Sequence, residues 1–182
     1  MGSVTIEDKN RIPELIEQLR YLSTCKLEIG VFGDQDSEIL MIASVHEFGC
    51  KIRVTEKMRN YLHSIESEYG DTVENTWLHL KKTTQFINIP ERSYIRTGLD
   101  DNVDKITSYA GEMLEKVMSL EWTGKKMLGR LGAYIVSLIQ KQIREKDEPP
   151  LHPFTIEHKT KNSDKPLVDT GRLRGSITWR IV

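Results

Sequence analysis

Apolar residues recur at helical spacing over Ile12, Leu15, Ile16, Leu19 and Leu22, and Pro13 suits the first turn of a helix there. Ser23-Thr24-Cys25 interrupts the pattern. Residues 26–32 then alternate, with Leu27, Ile29 and Val31 on one side against Lys26, Glu28 and Gly30. Period two predicts a half-buried strand. The same alternation returns at the far end, where Ile177, Trp179 and Ile181 oppose Thr178 and Arg180. A strand left unpaired there would expose a sticky edge, so residues 177–182 are predicted to close the main sheet beside 27–32.

Between these strands the pattern is mostly helical. Ile39, Ile42, Ala43 and His46 share a face after a turn at residues 33–37, and Gly49 stands where a left-handed C-cap belongs. Residues 52–54 read as a short strand, and Thr55 as the cap of a helix carrying Met58, Tyr61, Leu62 and Ile65. Residues 66–75 are acid-rich, with a turn at Gly70-Asp71. Residues 77–80 and 85–89 suggest a hairpin, and the whole of 50–89 reads as an excursion from the main domain.

The strongest periodicity follows. Ile95, Leu99, Val103, Ile106, Ala110, Met113 and Val117 step by three or four, which predicts one long amphipathic helix. Residues 121–124 break it. A second helix then carries Met127, Leu131, Tyr134, Ile135, Leu138 and Ile139 inward, with Gly129, Gly132 and Ala133 permitting close approach. Residues 147–166 hold Pro149, Pro150, Pro153 and Pro166 and read as an extended arm, with a short helix at 154–159. The fold class is therefore α+β: one domain over 1–182, a small, mostly antiparallel sheet backed by two long amphipathic helices.

Charge narrows the function. A formal net charge of −1, with 29% charged residues, argues against a dedicated nucleic-acid binder. No apolar run is long enough for a membrane span, and the N-terminus lacks the apolar core of a signal peptide. Cys25 and Cys50 have no CxxC spacing and read as thiols of a reducing cytoplasm. No cofactor or metal is expected. His46-Glu47 lacks the second histidine of a zinc helix, and His152 and His158 read as solvated. Residues 123–126 resemble the end of a phosphate loop, but Ser119 stands where its first glycine is required.

Asp169-Thr170-Gly171 is the tripeptide of aspartic proteases, whose chemistry needs two carboxylates sharing a proton. Only eleven residues follow Gly171, too few for the flap and cleft strands of such an enzyme. The better reading is structural. Asp169 and Thr170 cap a short helical turn at Arg172-Leu173-Arg174, stopped by Gly175.

Three stretches carry a family resemblance. They are Ala43-Ser-Val-His-Glu-Phe-Gly49, then Ile89-Pro-Glu-Arg-Ser-Tyr-Ile-Arg96, and finally Pro149-Pro-Leu151 leading to Lys165-Pro-Leu-Val-Asp-Thr-Gly-Arg-Leu-Arg174 with Ser176-Ile177. In that order the chain resembles the virion-morphogenesis proteins of tailed bacteriophages, the Mu G-like and neck or tail-completion proteins. It departs from their pattern in the acid-rich part of the excursion.

The resemblance implies a non-catalytic part of the virion, made in the bacterial host cytoplasm, that forms a ring of six or twelve copies at the head–tail junction or tail end. Its implied partners are copies of itself, neighbouring head–tail connector and tail-tube proteins, and genomic DNA passing through the lumen without sequence-specific contacts. No membrane is involved. Pro90, Arg92, Arg96, Asp169, Thr170, Gly171, Arg172 and Trp179 are the expected structural and assembly residues. The alternatives are a minor head-morphogenesis factor that leaves before maturation and, in a different class, a hydrolase using Asp169.

Overall fold

A computed structural model describes residues 10–33, 36–69, 83–151, 153–157, 159–160 and 163–182. The elements run α1 (Ile12–Thr24), β1 (Leu27–Gly30), α2 (Ser37–Phe48), β2 (Cys50–Arg53), α3 (Glu56–Tyr69), β3 (Phe86–Ile89), α4 (Ile95–Asp100), α5 (Val103–Met118), α6 (Gly124–Glu145), α7 (Pro153–Glu157), α8 (Arg172–Ser176) and β4 (Thr178–Ile181). The fold is α+β, and among the described residues the strands form two separate antiparallel pairs, β1 with β4 and β2 with β3. The acid-rich residues 70–75 and the first half of the expected hairpin, 77–80, lie outside the described residues, as do His152 and His158. The second half of that hairpin is β3, which pairs with β2.

Helix α6 is the axis of the molecule. Thr123 caps it, its Oγ1 accepting from the Lys126 amide at 3.2 Å. Ile135, Ile139 and Ile143 fall on one stripe and are buried with Ile39, Ala43, Tyr94, Leu167, Leu173 and Ile177. A second cluster, Met113, Val117 and Met127, joins α5 to the start of α6, with Leu22 of α1 and Trp122 packed against it. The N-terminal half of α6 meets the β1–β4 pair through Trp179, which is half-buried in register with Ile29.

Glycine makes that contact possible. A Cβ at Gly132 would lie 2.6 Å from Trp179 Cγ and Cδ2, and one at Gly129 would lie 3.3 Å from its ring edge. Ala133, also expected at the close approach, is exposed. Gly132→Ala is expected to destabilise the fold by up to about 2 kcal/mol. Overpacking costs of order 1–3 kcal/mol and exceeds the roughly 1 kcal/mol gained in helix propensity. A chemical denaturation midpoint no lower than that of the wild type would contradict the contact.

Four sequence expectations differ from the structure. The helix expected across 95–117 is two helices, broken at Asp101-Asn102. Asn102 Nδ2 donates to the Gly98 carbonyl at 3.0 Å, a side-chain bond that competes with continuing the helix. Gly98 lets α4 press onto α6, because a Cβ there would sit 3.2 Å from Ile139 Cγ1. The periodicity survived the break because both helices bury a face against α6.

The cap at Asp169 and Thr170 is also not formed as expected. The residue before α8 is Gly171, at φ +88°, with no side-chain cap. This left-handed residue takes both side chains out of capping register. Asp169 Oδ1 instead accepts from the Thr160 amide at 2.9 Å, while Thr170 Oγ1 accepts only from the Arg172 amide, at 3.4 Å. Gly175 does not stop the turn, which runs on to Ser176.

Gly49 has the expected positive φ of 69°, but its ψ of 169° is extended. The chain therefore runs straight from α2 into β2 rather than closing a left-handed cap.

Candidate functional site

Helix α2 buries Ile39, Ala43 and Glu47, three residues spaced by four. A carboxylate on that apolar stripe must find donors, since an unpaired buried charge is costly. It finds them at the start of α4. Glu47 Oε1 accepts from Ser93 Oγ at 2.7 Å and the Arg96 amide at 3.1 Å. Its Oε2 accepts from the Tyr94 and Ile95 amides at 2.8 and 2.9 Å. One side chain thus satisfies the free N–H groups of a helix start from another helix, where a negative charge also meets the helix dipole favourably.

The surroundings tune this group. Burial pushes the Glu47 carboxyl up, but the Ser93 hydroxyl and the three backbone amides outweigh it and hold the group below the ordinary glutamate value. Tyr94, fully buried beside it, has its phenol pushed well up by burial and by the Glu47 charge.

The sign of the pH effect follows. A carboxyl whose folded value is depressed contributes stability that is fully present above its unfolded value of about 4.5. That contribution is lost as pH falls through the lower folded value. Wild type is therefore expected to lose stability from about pH 4.5 downward more steeply than Glu47→Gln, as read from denaturation midpoints across pH. Identical acid limbs for the two proteins would contradict it.

Arg92 is the second buried charge, 5% exposed. Its amide donates to the His46 carbonyl at 2.8 Å, tying the end of α2 to the segment after β3. Its guanidinium donates from Nε to Pro149 O at 2.8 Å and from Nη2 to Pro150 O at 3.1 Å. The proline carbonyls have lone pairs that no neighbouring strand uses, and the planar guanidinium spans two of them. Burial lowers the Arg92 pKa. His46, half-buried alongside, is lowered by burial and then by the charges of Arg92 and Lys159.

The connector is consequently fastened to its own chain. Lys159 Nζ donates to the Lys165 carbonyl and, at 2.8 Å, to the Val168 carbonyl. Lys165 pairs with Asp147. Pro166 and Leu167 are buried. Arg172 Nη2 reaches the start of α2, 2.9 Å from Asp36 Oδ2 and 3.0 Å from Glu38 Oε2. A cavity of about 410 Å³ remains between α2 and this connector, bordered by Ile42, His46, Leu151, Lys159 and Asp169.

Arg92 lies at the junction of α2 with the connector, and Asp169, Thr170, Gly171 and Arg172 line the connector side of the cavity near the start of α2. Pro90 is half-buried after β3. Arg96 is on the surface, where it pairs with Glu91 at 3.2 Å, an exposed contact worth little. Trp179 stands apart, on the ladder against α6.

Among the described residues, no group of three or more His, Cys, Asp or Glu is placed to hold a metal ion. The positive neighbours of His46 would oppose a cation there. No helix among the described residues is long and apolar enough to cross a membrane. Sequence reasoning missed Glu47, although its signal was legible: an acid four residues beyond Ala43 on the stripe that begins at Ile39.

No family model, curated protein or solved structure matches this chain.

Proposed function

We propose that this protein is a structural component of a tailed-bacteriophage particle, a neck or tail-completion ring subunit at the head–tail junction. One observation carries the reading. The three stretches that resemble virion-morphogenesis proteins, far apart in sequence, interlock through Glu47 and Arg92. Residues shared with a family of assembly parts are here spent on holding helices and connector together. In this reading Asp169, Arg172 and Arg92 are fastenings and the chain carries out no catalysis. Its partners are further copies, the adjoining connector and tail-tube proteins, and DNA passing through the lumen.

The rival within the same class is a head-morphogenesis factor that leaves before maturation. Mass spectrometry of purified mature particles separates the two. A ring subunit is found in them, stoichiometric with other neck or tail-end proteins. Its absence from mature particles, with presence in head precursors, would favour the rival. An aspartate-dependent peptidase activity in the purified wild type, lost in Asp169→Asn, would overturn both.

A further inference from the structure

Two exposed faces of the molecule are opposite in charge and alike in having apolar neighbours. The first is the outer face of the β2–β3 ladder. Cross-strand register puts Lys51 opposite Asn88 and Arg53 opposite Phe86, so these four side chains share one face, and all four are exposed. Phe86 is 54% exposed. Among the described residues, neither Lys51 nor Arg53 has an acidic partner.

The second face is on α5. Beside its buried residues Met113 and Val117, Leu114 and Met118 form an exposed apolar row one turn long, with Val103 exposed on the same side three turns earlier. Asp104, Glu112 and Glu115 form an acidic row next to it, also exposed. Gly111, between the rows, has open space above it. Helix α5 rests on α6 and α1 with its other side, so these rows face outward.

From this complementarity we propose that copies of the chain associate head to tail, the Lys51/Arg53/Phe86 face of one copy lying on the Glu112/Glu115 and Leu114/Met118 side of α5 in the next. The proposal rests on the ring reading and specifies which surfaces meet. Lys51 and Arg53, two apart on a strand, stand about 7 Å from each other. Glu112 and Glu115, three apart on a helix, stand about 5–6 Å from each other. Long side chains therefore match two against two, while Phe86 reaches the apolar row beside them. The two faces differ, so the contact is heterologous, the kind that generates rings when the rotation closes. Lys105 and Lys116 are also exposed on α5, on the far side of the acidic row from the apolar one, so the acids adjoin the apolar row and pairing the unlike faces is favoured over pairing like ones.

The test is charge reversal with the full chain. Lys51→Glu with Arg53→Glu makes one variant, Glu112→Lys with Glu115→Lys a second, and all four changes together a third. Every site is exposed, and thermal melting checks that each variant folds. Sedimentation velocity at low and high salt reads the association. Wild type is expected to associate at low salt and less so at high salt. Each two-site reversal should weaken association at least about tenfold. The four-site variant, and an equimolar mixture of the two two-site variants, should restore it.

Wild-type association indifferent to both reversals would overturn these surfaces while leaving self-assembly in place. A wild-type chain monomeric at every salt concentration would also overturn the proposal and leave the two faces to other particle proteins. Failure of the ring reading itself would be seen separately, in particle composition.

Discussion

Glu47→Ala is expected to cost about 3–5 kcal/mol of folding stability, the largest loss from any single substitution considered. The change removes a buried acceptor and leaves the Ser93 hydroxyl and the Tyr94, Ile95 and Arg96 amides without their partner. Each stranded buried donor costs of order 1–3 kcal/mol, offset in part where water can enter. Glu47→Gln retains an oxygen acceptor but loses the charge, and it turns an amide NH₂ toward other donors. About half the loss is expected for it. Urea denaturation of the three proteins reads the series directly. Equal midpoints for wild type and Glu47→Ala would mean that α2 and α4 are held by packing alone.

Trp179→Ala comes second, at about 3 kcal/mol, toward the lower end of the range for aromatic truncation because the indole is only half-buried. The ring lies over Gly129 and Gly132, and no side chain there can move in to fill the space. Its loss loosens α6 from the β1–β4 pair and should lower folding stability and particle yield together. Trp179→Phe should recover part of both. A Trp179→Ala chain of unchanged melting temperature but reduced particle yield would move Trp179 from the core to an assembly surface.

The alternation at 26–32 and 177–182 was legible because period two survives any tertiary context in which one face is buried. The observed register, Leu27 to Ile181 and Ile29 to Trp179, pairs those apolar positions. The faces of α2 and α6 were legible through their 3.6-residue period, but that of α1 was not, since Ile12, Ile16 and Leu19 of its expected stripe are exposed. The break at Asp101-Asn102 was not, since both helices keep their apolar stripes toward α6 and the sequence shows only one continuous periodicity. Gly98, the close approach that turns α4, is an ordinary glycine until Ile139 is placed against it.

The candidate site was less legible than the fold. Arg92 was marked by resemblance, yet its partners are proline carbonyls about sixty residues away, which no local pattern encodes. The cap expected at Asp169 failed because Gly171 takes a left-handed conformation, and the freed carboxylate turned to the Thr160 amide. The prolines of 147–166 suggested an extended arm. They belong to a connector held on its own chain by Arg92 and Lys159. In the association proposed above, the β2–β3 ladder and α5, not this connector, meet the neighbouring copy.

The central claim is that this chain is a ring subunit of a phage particle, and copy number at the head–tail junction or tail end tests it most directly. Averaged images of assembled particles, with the chain fitted to the density, should show a closed ring of six or twelve copies around the lumen. One or two copies per particle, or none, would contradict it.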